Sequence, residues 1–208
     1  KVLNKYTWGE KATRAIGGMW TLKRTNLSVL TIISALFYVI LTLPFAAGEL
    51  FINEIMYDPA TAQGGDSSGE WVELFNNGSS DVNLTNFNIV ESSSSNFIFN
   101  VTIPPNGFII LAVDFTTFNA TYPNVNLSGI KIIDIAVSNF NLLDSNGEVN
   151  LTNSSGALVD TIAYAQASGK AFENVSIGRY PDGSSKTFNL STLTPGAKND
   201  NQAPQLNK

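Results

Sequence analysis

The chain has 208 residues, 14% of them charged, with a formal net charge of −5 and neither His nor Cys. That composition excludes a Ser-His-Asp triad, a cysteine nucleophile, a His- or Cys-ligated zinc, a disulfide and a lipid-modified cysteine. Catalysis would have to rest on carboxylates, Lys, Tyr or hydroxyls, with or without an oxygen-bound metal.

Charge divides along the chain. Residues 1–48 carry six basic side chains, Lys1, Lys5, Lys11, Arg14, Lys23 and Arg24, against one acid, Glu10. Residues 49–208 carry six basic and sixteen acidic side chains, a net charge of −10. A surface of that sign repels nucleic-acid backbones and anionic lipid, so nucleic acid is not an expected partner.

The first element in chain order is apolar. Ser28 to Ala47 reads SVLTIISALFYVILTLPFAA, without a charge, behind Lys23 and Arg24 and ahead of Glu49. A basic flank, an apolar run, Pro44 and the small residues Ala46, Ala47 and Gly48 form a secretion signal cleaved between Gly48 and Glu49. The alternative is a retained membrane helix, since about twenty residues rise roughly 30 Å, the thickness of a bilayer core. Either way residues 49–208 are expected outside the cytoplasm, with the membrane engaged only through the N-terminal segment. Met19 opens an ordinary signal sequence, MWTLKRTNLSVL, so residues 1–18 read as upstream of the translation start or as a longer cytoplasmic flank.

After Gly48 no amphipathic helix stands out. Short β-rich runs broken by turn residues predict an all-β sandwich. The strands are expected at residues 49–57, 70–76, 82–91, 96–103, 108–113, 129–135, 140–144, 147–153, 157–165, 176–181 and 186–190. A short helical turn fits only FTTFNATYP, residues 115–123. In EWVELFN, residues 70–76, alternation puts Val72 and Leu74 on one face and Trp71, Glu73 and Phe75 on the other. Because a charged Glu rarely faces a core, Val72 and Leu74 are taken as the core pair and Glu73 as solvated.

The stretch INEIMYDPATAQGGDSSGEWVELFN, residues 52–76, holds five acids: Glu54, Asp58, Asp66, Glu70 and Glu73. Glu54, Asp58, Asp66 and Glu70 flank one loop and are the calcium candidates, although their spacing matches no EF-hand. The ordinary reading is a set of solvated strand ends with no metal or other cofactor. Beyond the signal, Asn-x-Ser/Thr sequons begin at Asn77, Asn83, Asn100, Asn119, Asn126, Asn150, Asn153, Asn174 and Asn189. Given export, the turn sites Asn77 and Asn153 are the leading glycosylation candidates. Of the aromatic residues Trp71, Phe75, Phe87, Phe97, Phe99 and Phe108, Trp71 is the one to test on the surface.

Several ordered segments resemble the lamin tail domain, in its secreted prokaryotic branch. They are INEIMYDP (52–59), EWVELFNNGSSDVNLTNFNI (70–89), IPPNGFIILA (103–112), LLDSNGEVNLTNSSGALVDTIAY (142–164), SIGRYPDG (176–183) and TPGAKN (194–199). The resemblance implies an immunoglobulin-like Greek-key β-sandwich over residues 49–199, preceded by the N-terminal signal or transmembrane helix. It implies no catalytic centre, and points to binding, scaffolding or surface attachment through protein or glycan. No heptad rod or basic import cluster accompanies it, so nuclear roles do not carry over. Residues 200–208, NQAPQLNK after Asp200, read as a polar tail or as a linker to further domains in the same chain. The competing function is an accessory domain of a larger secreted hydrolase or nuclease.

Overall fold

In chain order the strands are β1 (Leu50–Met56), β2 (Trp71–Asn76), β3 (Val82–Asn83), β4 (Phe87–Glu91), β5 (Ser94–Ile98) and β6 (Thr102–Ile103). They continue with β7 (Phe108–Ala112), β8 (Lys131–Asp134), β9 (Asn146–Thr152), β10 (Leu158–Ala165), β11 (Ser176–Arg179) and β12 (Thr187–Leu190). A computed structural model describes residues 50–199 except 67, 92–93, 99, 136–139, 145 and 166–172. The apolar N-terminal segment, the Gly48-Glu49 junction, Phe99 and residues 200–208 lie outside the described residues, and the side chain of Phe97 is likewise not described. Among the described residues, no helix is long and apolar enough to cross a membrane.

Six strands form one sheet in the order β12-β11-β1-β2-β7-β8, and four form a second in the order β10-β9-β4-β5. The two inner faces enclose a core that includes Ile52, Ile55, Val72, Leu74, Ile109 and Leu111 from the larger sheet. Ile89, Val149, Leu151 and Ile162 face them from the smaller. This is a β-sandwich, as the alternating runs predict. Val72 and Leu74 are indeed core residues, each fully buried. Leu74→Ala is expected to cost about 3 kcal/mol in a denaturant melt, from lost burial plus the cavity left behind.

The outer face of the six-stranded sheet is the main departure. It is not solvated. Helices α1 (Phe115–Thr121) and α2 (Pro123–Leu127) lie in the connection between β7 and β8. These two strands run parallel, so the chain must cross over between them. Asp114 caps α1 by accepting the Thr117 N–H at 2.6 Å, and Pro123 opens α2 where no donor is needed. Phe118 of α1 packs under Trp71, Met56, Ile110 and Ala112 in a second hydrophobic cluster. Trp71 meets both Phe118 and Tyr122 edge-on at 6.1 Å. Trp71 is therefore a core residue and not a surface one. Phe75, on the same face, is buried and stacks on Phe108 at 4.7 Å. The helical turn expected at 115–123 is real, and it is extended by a second helix.

Three expected strands are altered. The run at 82–91 breaks after β3, where Asn86 adopts φ 63° and the Thr85 N–H and hydroxyl both donate to Asn83 Oδ1. The run at 96–103 breaks at Asn100, with φ 49°. Asn tolerates this left-handed region better than other side-chain-bearing residues. Residues 140–144 form no strand, because side chains take their donors. Leu142 N–H binds Glu70 and Leu143 N–H binds the Tyr164 hydroxyl.

Candidate functional site

The acids of residues 52–76 are not a solvated row. Glu54, Glu70 and Glu73 are at most 1% exposed. A register shift between Ile52 and Glu54 in the β1–β2 ladder makes Asn53 the extra residue of a bulge. Beyond it, Glu54 sits directly opposite Glu73 across the ladder. Asn53, turned inward by the bulge, donates from Nδ2 to Glu73 Oε1 at 2.8 Å and to Asp182 Oδ1 at 2.9 Å. Its Oδ1 accepts the Gly183 N–H.

Residues 193–199 close over this pair. Thr194 Oγ1 lies 2.7 Å from Glu54 Oε2, and the Gly196 N–H donates to Glu73 Oε2 at 2.7 Å. The Ser176 hydroxyl and the Thr194 N–H both reach Glu54 Oε1. Gly178 on β11 permits the approach of Asn199, since a Cβ there would lie 2.5 Å from Leu190 Cδ1 and 3.0 Å from Asn199 Nδ2. Burial pushes the Glu54 carboxyl up to about 7, against the pull of its Ser176 and Thr194 hydrogen bonds. Burial, and then the charge of Glu54, push Glu73 well above the usual carboxylate range. Glu73 is thus corrected from a solvated residue to a buried one: the alternation assigned its face, but that face is covered.

Glu70 belongs to a different neighbourhood. Its Oε2 accepts the Leu142 N–H at 2.9 Å, while its buried Oε1 has no hydrogen-bond partner among the described residues. Burial pushes its carboxyl up to about 8, with Asp144, Asp66 and Glu91 adding to the rise. Asp66 is exposed and Asp58 half-buried, and burial followed by the charges of Asp66, Asp144 and Glu173 raises Asp58. The four calcium candidates are therefore divided. Glu54 answers to Ser176, Thr194 and Asp182, whereas Asp58 and Glu70 both feel Asp66 and Asp144. Among the described residues no three acids are grouped closely enough to hold a metal ion.

One polar centre escaped the sequence reading. Arg179 on β11 is 5% exposed and forms an ion pair with Asp160 of β10 at 2.8 Å. Its Nε also donates to the Ile52 carbonyl, and Asp160 Oδ2 accepts the Ile52 N–H. A register shift between Leu158 and Asp160 in the β9–β10 ladder precedes that carboxylate. The pair ties the two sheets together at β1. Its only sequence signal is an Arg in the apolar strand segment SIGR, facing an Asp in LVDTIAYA.

Of the glycosylation candidates, Asn77 directly follows β2 and Asn153 directly follows β9. Asn77 is exposed. Asn153 is half-buried, and its Oδ1 accepts from the Ser155 N–H, the Ser155 hydroxyl and the Ala157 N–H. A cleft of about 320 Å³ opens between the α1–α2 corner and residues 193–197, with Tyr122, Val125, Leu193 and Pro195 among its walls.

The two packed sheets form an immunoglobulin-like β-sandwich in which Glu54, Glu70 and Glu73 are buried. The lamin tail domain family matches residues 44–166, more than half of the chain, and the chain belongs to that non-enzymatic, immunoglobulin-like family. β11, β12 and residues 193–199 lie beyond the match, yet they complete the larger sheet and cover its acids. A comparison with curated proteins finds no match.

Proposed function

We propose that the protein is a non-catalytic contact and structural module of an exported protein, anchored or released through its N-terminal segment and working by protein or glycan contact at the cell surface. The observation that carries this reading is the fate of the acids. The carboxylates that catalysis would need in a chain without His or Cys are spent inside the fold. Glu54, Glu70 and Glu73 accept hydrogen bonds from Ser176, Leu142, Asn53 and Gly196. The net charge of −10 on residues 49–208 argues against a nucleic-acid partner. In this reading the domain folds without calcium, further domains follow in the same chain, and Asn77 and Asn153 are the points of glycan attachment.

N-terminal sequencing of the full chain after expression and cell fractionation tests the export. The expected result is a protein outside the cytoplasm that begins at or near Glu49. An uncut chain in the membrane would also support export, by way of an anchor. An uncut cytoplasmic chain overturns the reading.

A further inference from the structure

We propose that residues 193–199 form a strap held against the sheet by a proton-bearing acid pair, Glu54 and Glu73, and that the strap lifts when this pair ionises. The direct polar contacts join the strap to buried carboxyls. The Thr194 N–H and hydroxyl reach Glu54, the Gly196 N–H reaches Glu73, and the Asn199 N–H reaches Asp182 Oδ1 at 3.0 Å.

Counting protons identifies the state of Glu54. Thr194 Oγ1 lies 2.7 Å from Glu54 Oε2 and 2.5 Å from Asn199 Oδ1. A hydroxyl has one proton and cannot donate to both. The Asn199 amide cannot turn over to help. Its Nδ2 sits 3.0 Å from the Arg179 carbonyl and 3.4 Å from the Asn53 carbonyl, both of them acceptors. So Asn199 Oδ1 takes the Thr194 proton, and the Glu54–Thr194 contact is a hydrogen bond only when Glu54 Oε2 carries a proton and donates it. Glu54 Oε1 stays an acceptor for Ser176 and the Thr194 N–H. Loss of the proton would leave two oxygens at hydrogen-bond distance with no hydrogen between them, at a fully buried carboxylate.

The like charges around the pair oppose its ionisation. Glu73 of β2 faces Glu54 of β1. Asp182, between β11 and β12, adds like charge to both. Tyr122, just after α1, feels Glu54 from the helical side. The Arg179 guanidinium of β11 is turned away, onto Asp160 and the carbonyls of Ile52, Ser184 and Thr161. Lys198, on the strap itself, is exposed. Lifting the strap lets water reach both carboxylates, which is the least costly response to charge.

The sign follows from the raised carboxyl of Glu54, about 7 in the fold against 4.5 free. The closed strap is fully favoured below the free value and loses ground as pH rises through the folded one. Hydrogen exchange of the full chain, corrected for the intrinsic pH dependence of exchange, measures this. Protection of the Thr194, Gly196 and Asn199 amides is expected to fall about tenfold per pH unit between roughly pH 5 and 7. The β9–β10 ladder amides, which open with the whole domain, should stay better protected than the strap at every pH. In Glu54→Gln, whose amide can donate to Thr194 as the protonated acid does, strap protection should fall less steeply with pH, the remainder coming from Glu73. Strap protection that holds steady with pH in the wild type, or that equals the β9–β10 ladder's at every pH, overturns the proposal. So does an unchanged fall in Glu54→Gln. Should that variant fail to fold, the wild-type comparison of strap and ladder decides alone.

Discussion

Raising the pH from about 5 to about 8 is expected to destabilise the domain by roughly 1.4 kcal/mol per pH unit through Glu70 alone. Glu70 is 1% exposed, and its carboxyl is pushed up to about 8 in the fold from 4.5. Burial is the main cause. Asp144, Asp66 and Glu91 reinforce it, and the Leu142 N–H opposes it. Between those two values the folded chain holds a proton that the unfolded chain has lost. Stability from this group is therefore complete below about pH 4.5 and is lost as pH rises through about 8. Glu54 and Glu73 add slope of the same sign. Denaturant melts at unit pH steps, on wild type and Glu70→Gln, isolate the Glu70 share. The variant should show a shallower slope; an identical slope would remove Glu70 from the account.

Arg179→Met is expected to cost about 3–5 kcal/mol, the usual effect of stripping one partner from a buried ion pair. The guanidinium binds both oxygens of Asp160 and the Ile52 carbonyl, and it lies 5.5 Å from the centre of the Phe51 ring. Without it, the half-buried Asp160 keeps only the Ile52 N–H from this group of contacts. Adding Asp160→Asn to the variant should recover part of the loss, because the stranded charge goes with it. A single-variant loss below about 1 kcal/mol would place the pair with ordinary surface bridges.

The sandwich was legible because its inner faces obey a two-residue period. Val72 and Leu74 announce the core, and the order of the β-rich runs announces the family. The outer-face acids were misread for a physical reason. Burying Glu is costly, so an alternation argument places it in water by default. That default fails where neighbouring segments supply donors, and the Gly196 N–H and Asn53 amide that satisfy Glu73 lie 123 and 20 positions away. A local clue did exist. Trp71 and Phe75 flank Glu73 on its own face, and a face with two large aromatic residues is seldom left to solvent. The bulge at Asn53 left no such trace, since Asn in an otherwise apolar strand reads equally well as an outward residue.

The position of β1 dictates when the domain can finish folding. β1 lies between β2, its neighbour in sequence, and β11, and its Glu54 binds Ser176 from 122 positions away. Until β11 has been synthesised, one edge of the first strand stays unpaired and the acid pair has no lid. Contacts of such separation slow folding, because a long loop must close before they repay its entropy. A chain released stepwise would hold β1, β2 and β7 as a partial sheet with an open edge. Only the arrival of residues 176–199 converts that exposed edge into the middle of the sheet.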